Sequence, residues 1–123
     1  MTIFDLADAC QALAVTLDAE QAAVNYEGQE AMTLGKLSVN LGAQASSLRT
    51  LAVADAISNS ADAMKALSDG TAAANSAAAK LKIAGQAIQV AGLLLSLAAA
   101  VISGSPATVI SAGNGLVTAV KGL

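Results

Sequence analysis

Apolar positions along the chain recur at helical intervals. Ile3, Leu6, Cys10, Leu13, Leu17 and Val24 follow one another by steps of three and four, interrupted only by Glu20. Such spacing returns side chains to one face of a helix and predicts a first helix packed along that seam. Thr2 with Asp5 suits its start, and Tyr26-Glu27-Gly28 its end. Leu34, Leu37, Leu41, Leu48 and Leu51 continue a heptad-like stripe, and Ile57, Met64 and Leu67 take over after a shift of phase. A second helix is therefore expected over residues 29–69. Gly70 is a stop or a kink there, a continuous helix through it remaining open at about 1 kcal/mol for a lone glycine, and Thr71 can cap a third helix that reaches residue 102. The sequence Ser103-Gly104-Ser105-Pro106 is the clearest punctuation in the chain. Gly104 suits a left-handed position past a helix end, Ser105 can cap the next helix, and Pro106 lacks only an N–H that a first helical turn does not use. A last helix follows over residues 106–121, loosened by Gly113-Asn114-Gly115. The short connection predicts an antiparallel helical hairpin.

The polar pattern divides the chain unevenly. Residues 1–79 read as amphipathic, Ala-rich helices, and residues 80–123 as an apolar helical hairpin, within one domain spanning residues 1–123. From residue 83 to residue 120 there are 38 positions without a charged side chain. A helix that spans a bilayer needs about 20 apolar residues at a rise of about 1.5 Å each. The first arm, residues 83–102, has that length but includes Gln86 and Gln89. The second arm is shorter and includes Thr108, Ser111, Asn114 and Thr118. The arms are too polar for a permanent span and too apolar to lie in water. Two solutions stand: burial in a soluble helical assembly, or storage in that form followed by insertion into lipid. Lys80, Lys82 and Lys121 at the open end would then lie at one membrane interface.

Composition sharpens the fold class. Alanine fills 31 positions, and the only aromatic residues are Phe4 and Tyr26. A core without large rings is filled by close approach of helices through small residues, so the expectation is an all-α protein: an elongated bundle of three to four antiparallel helices ending in the apolar hairpin. Gly35 and Gly42 are seven residues apart, as are Gly85 and Gly92. Each pair lines one side of its helix and offers a packing seam.

Charge is segregated as well. Residues 1–30 hold six acids and no base, while residues 31–123 hold three acids and six bases. This polarity either solubilises the first helix or orders contacts between subunits. Asp55, Asp62 and Asp69 recur every seven residues and form a solvated or inter-subunit stripe. Carboxylates two turns apart, about 10 Å along a helix, do not share a metal. With a single arginine and almost no aromatic surface, nucleic acid is not an expected partner.

No catalytic constellation is present. The chain has no histidine, one cysteine placed on an apolar seam, no phosphate-binding GxxxxGK[ST] loop, and closely paired carboxylates (Asp5 with Asp8, Glu27 with Glu30) only in acid-rich helix. The expectation is a protein that is not an enzyme and takes no metal or cofactor. Its opening, MTIFDLADACQ, has acids where a secretory signal has bases. That predicts no signal peptide and a protein soluble as synthesised, whose export would follow a non-classical route before membrane association.

Long Ala-rich amphipathic helices followed by a hydrophobic hairpin, IQVAGLLLSLAAAVISGSPATVISAGNGL, resemble the layout of α-helical pore-forming toxins and related secreted helical proteins. The resemblance lies mainly in residues 80–123 and is one of architecture. It implies a homo-oligomer, or assembly with a helical partner, and exposure of residues 90–97 and 109–116 to a lipid membrane. The membrane-facing candidates are Val90, Leu93, Leu94, Leu95, Leu97, Val101, Ile102, Val109, Ile110 and Leu116. Ile3, Leu6, Leu13 and Leu17 close the first helix on the rest. The competing reading is a self-assembling structural or filament subunit, or a helical secreted adaptor, with the hairpin in the assembly core.

Overall fold

The computed structural model describes residues 3–24, 29–50, 57, 59–77, 80 and 84–123. The described residues are helical apart from short turns, and no strand occurs among them. In chain order the helices are α1 (Ile3–Val24), α2 (Gln29–Thr50), α3 (Ala61–Ala77), α4 (Ala84–Ser103) and α5 (Pro106–Lys121). The fold is all-α.

Two boundaries differ from the sequence expectation. The long second helix is divided: α2 ends at Thr50 and α3 starts at Ala61. Ser60 makes the new start, its Oγ accepting from the Ala63 N–H at 3.2 Å and its carbonyl from Met64 N–H at 3.0 Å. This is the side-chain capping that an N-terminal helical turn needs for its unpaired donors. Gly70 does not stop a helix. It lies inside α3, and Thr71 is not a cap but a buried residue whose hydroxyl donates to the Leu67 carbonyl at 2.7 Å. The long third helix is divided too, because α3 ends at Ala77, Lys80 N–H turns back to the Ala77 carbonyl at 2.8 Å, and α4 begins at Ala84. Five helices are thus described, where three to four were expected. The Thr2 cap, the break at Tyr26-Glu27-Gly28, Leu51, Asp55 and Lys82 lie outside the described residues.

α1 and α2 pack together as an antiparallel pair. Arg49 donates to Asp8 at 3.2 Å near one end of it. Ser38 donates to Asp18 Oδ1 at 2.7 Å and to the Ala14 carbonyl at 3.2 Å further along. Leu6, Cys10, Leu13 and Leu17 of α1 and Leu34, Leu41 and Leu48 of α2 are buried beneath these ties. The side chain of Ile3 falls outside the described residues.

α4 is the centre of the molecule and touches all four other described helices, whereas α5 rests on α3 and α4. Ala87, Val90, Ala91, Leu94, Leu97, Ala98 and Val101 of α4 are shut away from solvent.

Candidate functional site: an uncharged helix pair

The feature that sets this chain apart is the α4–α5 pair. Its connection is built by local chemistry. Gly104 has φ 78°, a left-handed conformation that glycine adopts without strain, and its N–H reaches the Ala100 and Val101 carbonyls at 3.2 Å each. Ser105, with φ −95° and ψ 111°, caps α5 by accepting from Thr108 N–H at 3.4 Å, and Pro106 opens that helix. Ser103 closes the end of α4 by donating to the Ala100 carbonyl at 2.8 Å.

Of the ten membrane-facing candidates, Val90, Leu94, Leu97, Val101, Val109 and Leu116 are fully buried in the bundle. Leu93, Leu95 and Ile110 are half-buried against the same core, and Ile102 near the turn is exposed. These residues therefore form the interior of the closed fold. Residues 85–103 are long and apolar enough to cross a membrane, yet 44% of that window is buried inside the protein. A core helix of a soluble protein has the same properties.

Several hydroxyls of the pair are satisfied close to home. Ser96 donates to the Gly92 carbonyl at 3.1 Å and Thr118 to the Asn114 carbonyl at 2.9 Å, each one turn back along its own helix. Thr108 donates to the Ser105 hydroxyl at 3.0 Å. None of these bonds ties the pair to α1, α2 or α3. Lys80 and Lys121 are exposed at the ends away from the turn.

Close helix packing occurs at glycines that the sequence reading treated as breakers. A Cβ placed on Gly113 would collide with the Ala66 backbone, at 2.8 Å from its carbonyl carbon. One on Gly70 would lie 3.0 Å from Leu97 Cδ2 and 3.2 Å from Gly113 Cα. α3 and α5 thus touch backbone to backbone at Ala66, Gly70 and Gly113. The expected seams are elsewhere. Nothing lies within 4 Å of a Cβ position on Gly42 or Gly92, Gly35 is half-exposed and Gly85 is exposed. Gly42 and Gly92 therefore do not mark close helix contacts within the chain. A seven-residue spacing reports a shared face, but not whether that face turns inward.

Other candidate chemistry is thin. A hollow of about 220 Å³ between α3 and α5 is lined by Asp62, Lys65, Ala66, Asp69, Ile110 and Asn114. Lys65 pairs with Asp69 at 2.6 Å, and that hydrogen bond and charge raise the lysine pKa. Asp62 and Asp69 are solvent-exposed, and no metal-binding group of three such side chains occurs among the described residues. Cys10 is buried, and loss of solvation pushes its thiol from 9.0 up to about 12, with Arg49 opposing in part. It stays a protonated thiol at neutral pH and is a poor nucleophile. Comparison with protein families, with curated proteins and with solved structures found no match.

Proposed function

We propose that the protein is a membrane-active helical protein, stored as a soluble bundle, that oligomerises and inserts the α4–α5 hairpin into lipid. The observation that carries this reading is the polar pattern of the pair. It holds no charge from residue 84 to residue 120, and its serine and threonine bonds run within the pair. Helices that satisfy their own polar groups enter hydrocarbon without stranded donors. The core contacts of Leu94 and Leu97 exchange for lipid contacts at small cost, whereas a charged helix would lose several kcal/mol. α4, with 20 residues, is about 30 Å long and matches the hydrocarbon core of a bilayer; α5, with 16, is about 24 Å. Gln89 and Asn114 then face neighbouring hairpins or a water-filled lumen, and this requirement makes the inserted form an oligomer. Lys80 and Lys121 reach the headgroups.

A second reading is favoured by the burial of Val90, Leu94, Leu97 and Val101 at the centre of the bundle. There α4 is a core helix throughout, and the protein is a structural subunit or a helical adaptor.

Dye release from anionic vesicles separates the two. The expected result is leakage by the parent protein and loss of leakage in Leu95→Lys, a half-buried position where a variant can still fold. If the parent leaves vesicles intact, or a folded Leu95→Lys variant releases dye equally well, the hairpin is only a core.

A further inference from the structure

Large apolar side chains are exposed in an uneven way. Of the four described, Val15, Met32 and Val39 belong to the α1–α2 pair, at 58%, 61% and 73% exposure. On each helix the exposed positions run opposite the buried leucines: Asp8, Gln11, Val15 and Asp18 on α1, and Met32, Val39, Ala43 and Ser46 on α2. The Asp8–Arg49 and Asp18–Ser38 ties set the antiparallel register, which brings Val15 level with Gly42. Beside Val39 is a shallow hollow of about 400 Å³ lined by Gly35, Lys36, Val39 and Asn40.

We propose that this outer face of the α1–α2 pair binds a second copy of the chain, about a two-fold axis that runs along the helices. Charge selects both the occupant and the axis. α1 carries only acids, Asp5, Asp8, Asp18 and Glu20, while beyond its first turn α2 carries only bases, Lys36 and Arg49. A two-fold axis across the helices would lay acid on acid. An axis along them lays the acidic α1 of one copy over the basic α2 of the other, with Asp8 level with Arg49 and Asp18 within a turn of Lys36. The side chain of Asp8 remains 72% exposed and that of Arg49 40% despite their own pairing, so both are open to a second partner. Val15 and Val39 then leave water together, and the half-exposed Gly35 and Gly42 allow the backbones to approach.

The area agrees with this arrangement. Two 22-residue helices about 33 Å long, lying about 10 Å apart, present a face of roughly 660 Å². Specific interfaces use roughly 600–1,000 Å² per partner, a range that the two helices together enter at its lower end and one helix alone does not reach. The product is an antiparallel four-helix layer with α3, α4 and α5 outside it. This inference does not rest on the membrane reading.

Sedimentation equilibrium of the full chain at tens of micromolar tests it. The parent is expected to be a dimer. Val39→Lys, at an exposed position, should keep its helical circular dichroism while weakening the dimer by at least ~10-fold. Two charge variants give the sharper result. Asp18→Lys and Lys36→Asp, each alone, place like charges across the interface and should be monomeric, whereas Ser38→Ala, which loses only the internal bond to Asp18, should stay a dimer. Mixed, the two charge variants restore both contacts and should form a heterodimer. A monomeric parent, a dimer indifferent to Val39→Lys, or a mixture that associates no better than its components would overturn the proposal.

Discussion

The α1–α2 pair and the α4–α5 pair are both two helices packed over a leucine and alanine core, yet they are held together by different means. α1 and α2 are tied across their groove by side chains of opposite character, Asp8 with Arg49 and Asp18 with Ser38. Their outer faces carry charge. The serine and threonine hydroxyls Ser96, Ser103, Thr108 and Thr118 of α4 and α5 bond instead along their own helices or across the turn. Their geometry comes from a turn with Gly104 in a left-handed conformation and Ser105 as a cap, and α5 is seated by the contact of Gly113 with Ala66. The first pair is specified by polar complementarity and the second by shape. In the insertion proposed above, the second pair is the one that moves.

The largest effect separating the pairs is expected at Leu13, fully within the α1 seam at 2% exposure. Leu13→Asp buries an unpaired carboxylate and should cost about 4 kcal/mol or expel α1. An unchanged thermal midpoint would show that the first pair is not held by its core. Next is Gly113→Val, for which the Ala66 backbone leaves no room. Forcing α3 and α5 apart should cost about 3 kcal/mol, and Gly115→Val, where nothing lies within 4 Å, should cost far less. Equal losses at the two glycines in denaturant titrations would contradict the backbone contact.

Hydroxyl deletions test the polar contrast itself. Ser38→Ala removes a buried bond to a carboxylate and should cost about 1.5 kcal/mol, while Ser96→Ala, which loses only a bond to its own helix, should stay within about 0.5. The reverse order would assign cross-helix bonding to the wrong pair. The smallest effect concerns Cys10. Its folded pKa of about 12 lies above the unfolded 9.0, so the folded state favours the neutral thiol. That contribution is complete below pH 9 and is lost as pH rises toward 12. The stability advantage of the parent over Cys10→Ala should therefore shrink by roughly 1 kcal/mol between pH 8 and pH 10. A difference that grows with pH would mean the thiol is not desolvated.

Legibility in the sequence followed the same division between local and distant causes. The seam through Leu6, Cys10, Leu13 and Leu17 and the turn Ser103-Gly104-Ser105-Pro106 were readable, because periodicity and capping act over a few residues. The break before α3 also had a local signal, the cluster Ser58-Asn59-Ser60, but the apolar heptads on either side concealed it. The division between α3 and α4 had none. Residues 77–79 are three alanines, the best of helix formers, so composition offers no stop there. Gly70 and Gly113 were misleading for a related reason. A glycine breaks a helix or admits another one, and the choice depends on Ala66 and Leu97, which approach from elsewhere in the chain.

The central claim is that the α4–α5 pair can leave the bundle for lipid while the α1–α2 pair cannot. The chain has no tryptophan, so a single one introduced at Leu95 reports on that pair alone. The direct measurement is quenching of its fluorescence by anionic vesicles whose lipids carry bromine at mid-chain, with a Val15→Trp variant as the counterpart on α1. The account predicts a blue shift and strong quenching at position 95, with position 15 unaffected. Fluorescence at position 95 that ignores the vesicles, or equal quenching at both positions, would contradict it.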